Sequence, residues 1–163
     1  MASTRFKSQI MTASEIERTL VRLAHQVLER YDEAKELVFI GIRRRGVPLA
    51  ERLAAKVGEM ERATIPVGSL DINLYRDDLS MVGNQPVVSA THIPFSITDK
   101  IVVLVDDVLY TGRTCRSALN ALFDHGRPRR VDLLVLIDRG HRELPVEAGF
   151  VGRTLTTTET EIV

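Results

Sequence analysis

The chain reads as an α/β protein built on a doubly wound parallel sheet. Three observations predict this. Apolar, mostly β-branched runs near 37–42, 101–106 and 131–137 ask for burial on both faces. Segments with helical periodicity separate them, and a further extended run lies near 64–75. Polar loops at 43–46, 106–114 and 138–140 follow the carboxyl ends of three of these strands, the side on which an open parallel sheet holds ligands. No internal repeat, low-complexity tract or interdomain linker is visible, so residues 1–163 are expected to form one domain.

Composition narrows the class. Hydrophobic residues at 44% and charged residues at 27% are ordinary for a soluble globular protein. No apolar run approaches the roughly 18 residues of a membrane helix, and residues 1–10 lack the apolar core of a secretory signal. The single cysteine, Cys115, leaves no internal disulfide and fits a reducing cytoplasm, where it is expected to pack rather than react. The 22 basic and 22 acidic side chains cancel. A dedicated nucleic-acid binder is usually basic, so any RNA site must be a local patch.

In chain order, Thr12-Ala13-Ser14-Glu15 opens a helix, with Thr12 or Ser14 as its cap and Glu15 in its first turn. Ile16, Leu20, Leu23, Ala24, Val27 and Leu28 mark its buried face. Arg18 and Arg22 lie four apart on another face, either solvated or available to RNA or a second subunit. Residues 36–42 form the first strand. Arg43-Arg44-Arg45-Gly46 then make a compact loop before a helix over 47–60, with Pro48 in its first turn. Guanidinium forks match phosphate oxygens, so this loop reads as a pyrophosphate clamp or as a solvated basic turn. Residues 63–75 are extended. Residues 74–90 contain Gly83, Asn84 and Pro86 with little apolar content, the composition of a mobile loop.

The stretch Ile101 to Thr114 organises the rest. Its apolar strand ends on Asp106 and Asp107, and Thr111, Gly112 and Thr114 follow ahead of a helix over 115–125. Loop and helix N–H groups beside a helix dipole favour an anion there. Gly112 lets the backbone approach a phosphate, Thr111 and Thr114 add hydroxyl donors, and Arg113 adds charge or points to solvent. The carboxylates suit sugar hydroxyls or magnesium, unless they only begin a turn and cap the helix. A phosphorylated ribose has both parts. Farther on, Gly126 ends the helix, Pro128 prevents its resumption, and Arg127, Arg129 and Arg130 cluster beside that end. Strand 131–137 leads into Asp138-Arg139-Gly140. His141 reads as a proton carrier or as part of a charged turn.

Val105-Asp106-Asp107-Val108-Leu109-Tyr110-Thr111-Gly112-Arg113-Thr114 resembles the phosphoribosyl-pyrophosphate (PRPP) motif of type I phosphoribosyltransferases. More narrowly it resembles the PyrR family, pyrimidine operon attenuation regulators that are also uracil phosphoribosyltransferases. Leu70 to Leu79, Gly126-Arg127-Pro128 and Ile137 to Pro145 agree, and the match runs from about Met11 to Phe150. The resemblance implies a type I phosphoribosyltransferase-like parallel sheet flanked by helices, with a small hood. It implies that uracil and PRPP give UMP and pyrophosphate, with Mg2+ accompanying PRPP. Asp106 and Asp107 would fix the ribose hydroxyls, act in catalysis and contact the metal. Arg44, Arg45, Gly46 and Arg76 would contact pyrophosphate; Val108 would contact PRPP or the nucleotide; Leu109, Tyr110, Thr111, Gly112, Arg113 and Thr114 would hold the 5′-phosphate; Arg139 would face the nucleotide. The 74–90 loop would close over the site, with Asp77 and Asp78 holding magnesium or keeping the loop soluble.

The resemblance also implies a homodimer or larger homo-oligomer, sensitive to UMP and UTP, that binds pyrimidine-operon leader mRNA through Arg18, Thr19, Arg22 and the 127–130 cluster. Two departures stand out. The family has Arg and Asp around positions 147 and 149, where this chain has Glu147 and Gly149. Family members also continue past Val163 into a strand pair of the hood, so Val163 would supply the first residue of a uracil-contacting strand. The alternatives are a phosphoribosyltransferase without an RNA-regulatory role, and one acting on a purine base.

Overall fold

A computed structural model describes residues 3–73 and 90–163. Helix α1 (Ala13–Arg30) is capped by Thr12, whose Oγ1 accepts the Glu15 N–H at 3.2 Å. Then follow β1 (Leu37–Ile42), α2 (Gly46–Glu61), β2 (Val67–Leu70), β3 (Ile101–Leu109), α3 (Arg113–Phe123), β4 (Arg130–Asp138) and β5 (Phe150–Thr154). The strands form one parallel sheet in the order β2-β1-β3-β4-β5.

The two-residue period of a strand divides the core. Leu37 and Phe39 of β1 and Ile101, Val103 and Val105 of β3 pack against α1 and α2. Val38, Ile40 and Ile42, with Val102 and Leu104, pack against α3, Leu70, Ile72 and Ile97. Burial on both faces explains why these strands are apolar without alternation.

Order 2-1-3-4-5 places a topological switch between β1 and β3. From β1 the chain crosses through α2 to β2; from β3 it crosses through α3, on the opposite face, to β4. The two loops therefore diverge and leave a crevice at the carboxyl ends of β1 and β3.

Several boundaries differ from the sequence expectation. Strand β3 continues through both carboxylates to Leu109, because β4 runs beside it until Leu109 meets Asp138. The extended run near 64–75 shortens to Val67–Leu70, because β1, its sheet partner, ends where Ile42 meets Leu70. Helix α3 starts at Arg113, two residues early, since Gly112 at φ +94° completes the turn at once. Strand β5 is not expected from the sequence: it is a short edge strand with Gly152 at its centre. Residues 155–163 have no regular structure. The proposed loop over 74–90, with Arg76, Asp77 and Asp78, lies outside the described residues except for Ala90.

Candidate active site

The β3 register brings Asp106 and Asp107 to the switch point. Asp106 Oδ1 accepts the Asp107 N–H at 2.9 Å, and Asp107 Oδ1 accepts the Val108 N–H at 2.8 Å. Arg45 reaches across from the β1–α2 loop, with Nη1 3.6 Å from Asp107 Oδ2. Gly46 opens α2 so close to β3 that a Cβ there would lie 2.2 Å from the Val105 carbonyl oxygen. This close approach sets the width between the two loops.

Arg43, Arg44, Arg45, Asp106, Asp107 and Val163 line one cleft of about 870 Å3, with a further wall formed by Asp71, Ile72, Asn73 and Ala90. A smaller hollow of about 90 Å3 adjoins it, lined by Val108 to Gly112 and by Thr114 and Cys115. Ile42, Asp106 and Thr114 line both, so cleft and hollow share a boundary. Burial, then the neighbouring Asp107 carboxylate, pushes the Asp106 carboxyl up to about 8. Burial also pushes the Cys115 thiol up to about 11, which removes it from nucleophilic chemistry.

The loop after β3 is braced from the loop after β4. Thr111 O accepts the N–H groups of Glu143 and Leu144 at 2.9 and 3.1 Å. Arg142 donates to Tyr110 O at 2.8 Å, to Val146 O at 2.9 Å and to Asp138 Oδ2 at 2.7 Å. Thr111 Oγ1 accepts the Arg113 N–H at 3.3 Å, while the Arg113 guanidinium turns away to Glu143.

Arg139 was expected to face the nucleotide, but it lines neither cavity. It is 6% exposed and lies with its guanidinium carbon 4.1 Å from the Tyr110 ring centroid. It donates to Thr157 Oγ1, Thr158 O and Glu161 O. His141 Nε2 hydrogen-bonds with Thr157 O. The third loop thus joins the site through Tyr110 and through the segment that ends at Val163.

Arg18, Thr19 and Arg22 surround a separate hollow with Met11, Glu15, Gly152 and Arg153. Arg22 donates to Gly152 O, and Arg153 lies 3.8 Å from Glu15. The 127–130 arginines lie elsewhere, at the amino end of β4, where Arg130 pairs with Asp132 at 3.4 Å.

Sequence reasoning included Arg43 in the arginine clamp but missed Asp71 and Asn73 as cleft residues and Arg142 as the brace. Arg142 had a local signal in its four-residue spacing from Asp138; the wall residues had none, since their role depends on contact with Ala90. The donor set at the cleft fits a hard cation only in part. Asp106 and Asp107 supply oxygen ligands, yet among the described residues no group of three or more acidic, histidine or cysteine side chains converges. Most ligands of a magnesium ion would therefore come from phosphate and water. No helix among the described residues is long and apolar enough to cross a membrane.

A family model for the phosphoribosyl transferase domain matches residues 7–161. The chain is 57% identical over 159 residues to "Bifunctional protein PyrR" of Pelotomaculum thermopropionicum, covering 98% of this chain and 88% of that protein. It is 54% identical, over the same shares, to the protein of that name from Thermus thermophilus. A hypoxanthine phosphoribosyltransferase from Staphylococcus aureus superposes with TM-score 0.72 over 91% of this chain and 77% of that one; at 21% identity this shows a common fold.

Proposed function

This chain belongs to the phosphoribosyl transferase domain family, and within it to the PyrR proteins, and we propose that it transfers the phosphoribosyl group of PRPP to uracil. The carrying observation is that Arg43, Arg44, Arg45, Asp106, Asp107 and Thr114 line one cleft, and that the adjoining hollow of Val108 to Gly112 shares Asp106 and Thr114 with it. Cationic and hydroxyl donors at two ends, with carboxylates at the centre, match a ribose phosphorylated at both ends.

In this reading the hollow at 110–114 anchors the 5′-phosphate on loop N–H groups, and that remote binding energy serves the reacting centre. The two carboxyl groups hold the ribose hydroxyls, and Asp107 stabilises positive charge that develops on the sugar. Arg43, Arg44 and Arg45 neutralise the leaving pyrophosphate. The bond from C1′ to pyrophosphate breaks, the bond from uracil N1 to C1′ forms, and the N1 proton is released. Asp106 and Asp107 would also contact a magnesium ion carried in with PRPP, which would supply further charge neutralisation.

The test is a PRPP-consumption assay with uracil, hypoxanthine and guanine. Turnover with uracil alone is expected; turnover confined to the purines would overturn the reading.

A regulatory role rests on a different observation, the hollow framed by Arg18, Thr19, Arg22 and Arg153. There the chain would grip pyrimidine-operon leader RNA in response to UMP. Filter binding with and without UMP checks this, and equal affinity for unrelated RNA would reject it.

A further inference from the structure

We propose that Asp71 is a positioning residue for the PRPP cleft, its one carboxylate tying the chain leaving β2 to the chain returning at Ala90; this rests on the transferase reading above.

Asp71 follows β2 directly and is 9% exposed. Its Oδ1 accepts the Asn73 N–H at 3.0 Å, and its Oδ2 accepts the Ala90 N–H at 3.1 Å. The first bond is the short-range turn that any loop aspartate can make. The second joins residues 19 apart and has no local cause. Around it the same two segments are laced by backbone. Ser69 and His92 exchange both N–H···O bonds, at 2.9 and 2.8 Å. The Asp71 N–H donates to Thr91 Oγ1 at 2.8 Å, and Arg43 Nη1 donates to Ala90 O at 2.9 Å.

Among the described residues, antiparallel pairing here is a single bridge between Ser69 and His92. Beyond it the carboxylate does what a ladder would do. A buried carboxylate is costly unless hydrogen-bonded, and bonds from backbone N–H groups to an ionised acceptor are the stronger kind. Asp71, Asn73 and Ala90 form a wall of the cleft that Asp106 and Asp107 also line, and Arg43 is held to that wall through Ala90. Asp71 thereby sets where the arginine loop stands relative to the wall. It need touch no substrate to do so.

Asp71→Asn tests this. An amide offers one acceptor oxygen in place of two, and turns an NH2 toward one of the two N–H groups. Loss of one such bond predicts about tenfold faster hydrogen exchange at Asn73 or Ala90, with Val102 to Leu104 of β3 unchanged. It also predicts a KM for PRPP raised about tenfold while kcat and the KM for uracil hold. Unchanged exchange at both amides, or a fall in kcat with no change in KM, overturns the role. Should the variant fail to fold, the unmodified chain decides: both amides must be protected from exchange, and free exchange at Ala90 overturns it. The exchange readout needs no enzymatic turnover, so an inactive parent protein would sink the transferase reading and leave Asp71 to be judged on exchange.

Discussion

Asp106 lines both the cleft and the smaller hollow, Asp107 the cleft, and the two side chains have different partners. Asp107 meets Arg45, whereas Asp106 is pushed up to about 8 by burial and by Asp107. Between pH about 4 and about 8 the folded protein therefore keeps a proton on Asp106 that the unfolded chain has lost. Unfolding free energy should fall as pH rises through that window, by on the order of a few kcal/mol at most, and level off above it. Urea unfolding at pH 5 and pH 8.5 measures this. Asp106→Asn should lose that part of the slope and gain stability at pH 8.5 relative to the parent; a slope equal to the parent's would refute the assignment. Asp107→Asn should lower turnover at least several-fold while the fold stays intact, since the amide cannot stabilise a cationic sugar as a carboxylate does. Steady-state assay with circular dichroism checks it, and unchanged turnover removes Asp107 from the mechanism. Arg139 shows the limit of reading a residue from its motif. Its charge was legible, but its partners at 157–161 were set by how the chain returns after β5.

At the scale of elements, the start of α2 against β3 governs the site. Gly46 is required there by a close approach, because a Cβ would collide with backbone rather than with a side chain that could move. Gly46→Ala should cost about 1–3 kcal/mol, and it should raise the KM for PRPP by shifting the arginine loop. Thermal unfolding and kinetics together read this; full stability with normal KM would mean that α2 has room to move. Strand β3 makes a complementary point. Its apolar run ends at Val105, yet its ladder continues to Leu109 because β4 is long enough to pair with it. Strand β5 has little periodicity, and Gly152 lies in its middle. That glycine fits because a Cβ would stand 2.4 Å from Leu136 O and 2.8 Å from Thr19 Cγ2, where α1 crosses the edge of the sheet.

For the whole molecule, the absence of net charge confines any RNA contact to a patch. Gly152 lies level with Leu136 of β4, and Arg130 is six residues nearer the amino end, so the two basic groups are about 20 Å apart. Only Arg18, Arg22 and Arg153 share the first hollow. Leader RNA gripped there should show log K falling with log salt at a slope of about −2 to −3. A slope of about −4 to −5 in a salt titration would show that the 127–130 arginines also reach phosphates and that the patch is larger than drawn.

The amino-acid order alone determined the sheet class, the gathering of polar loops beyond the strands' carboxyl ends and the residue types those loops carry. Strands buried on both faces must be apolar, and the loops beyond them are free to carry charge. Tertiary structure decided what no local pattern encodes. The fifth strand exists because β4 offers an edge, Arg139 turns to the returning tail, and Asp71 finds Ala90 across the cleft wall. Each of these depends on a partner distant in sequence, and such a contact leaves no periodicity or spacing behind.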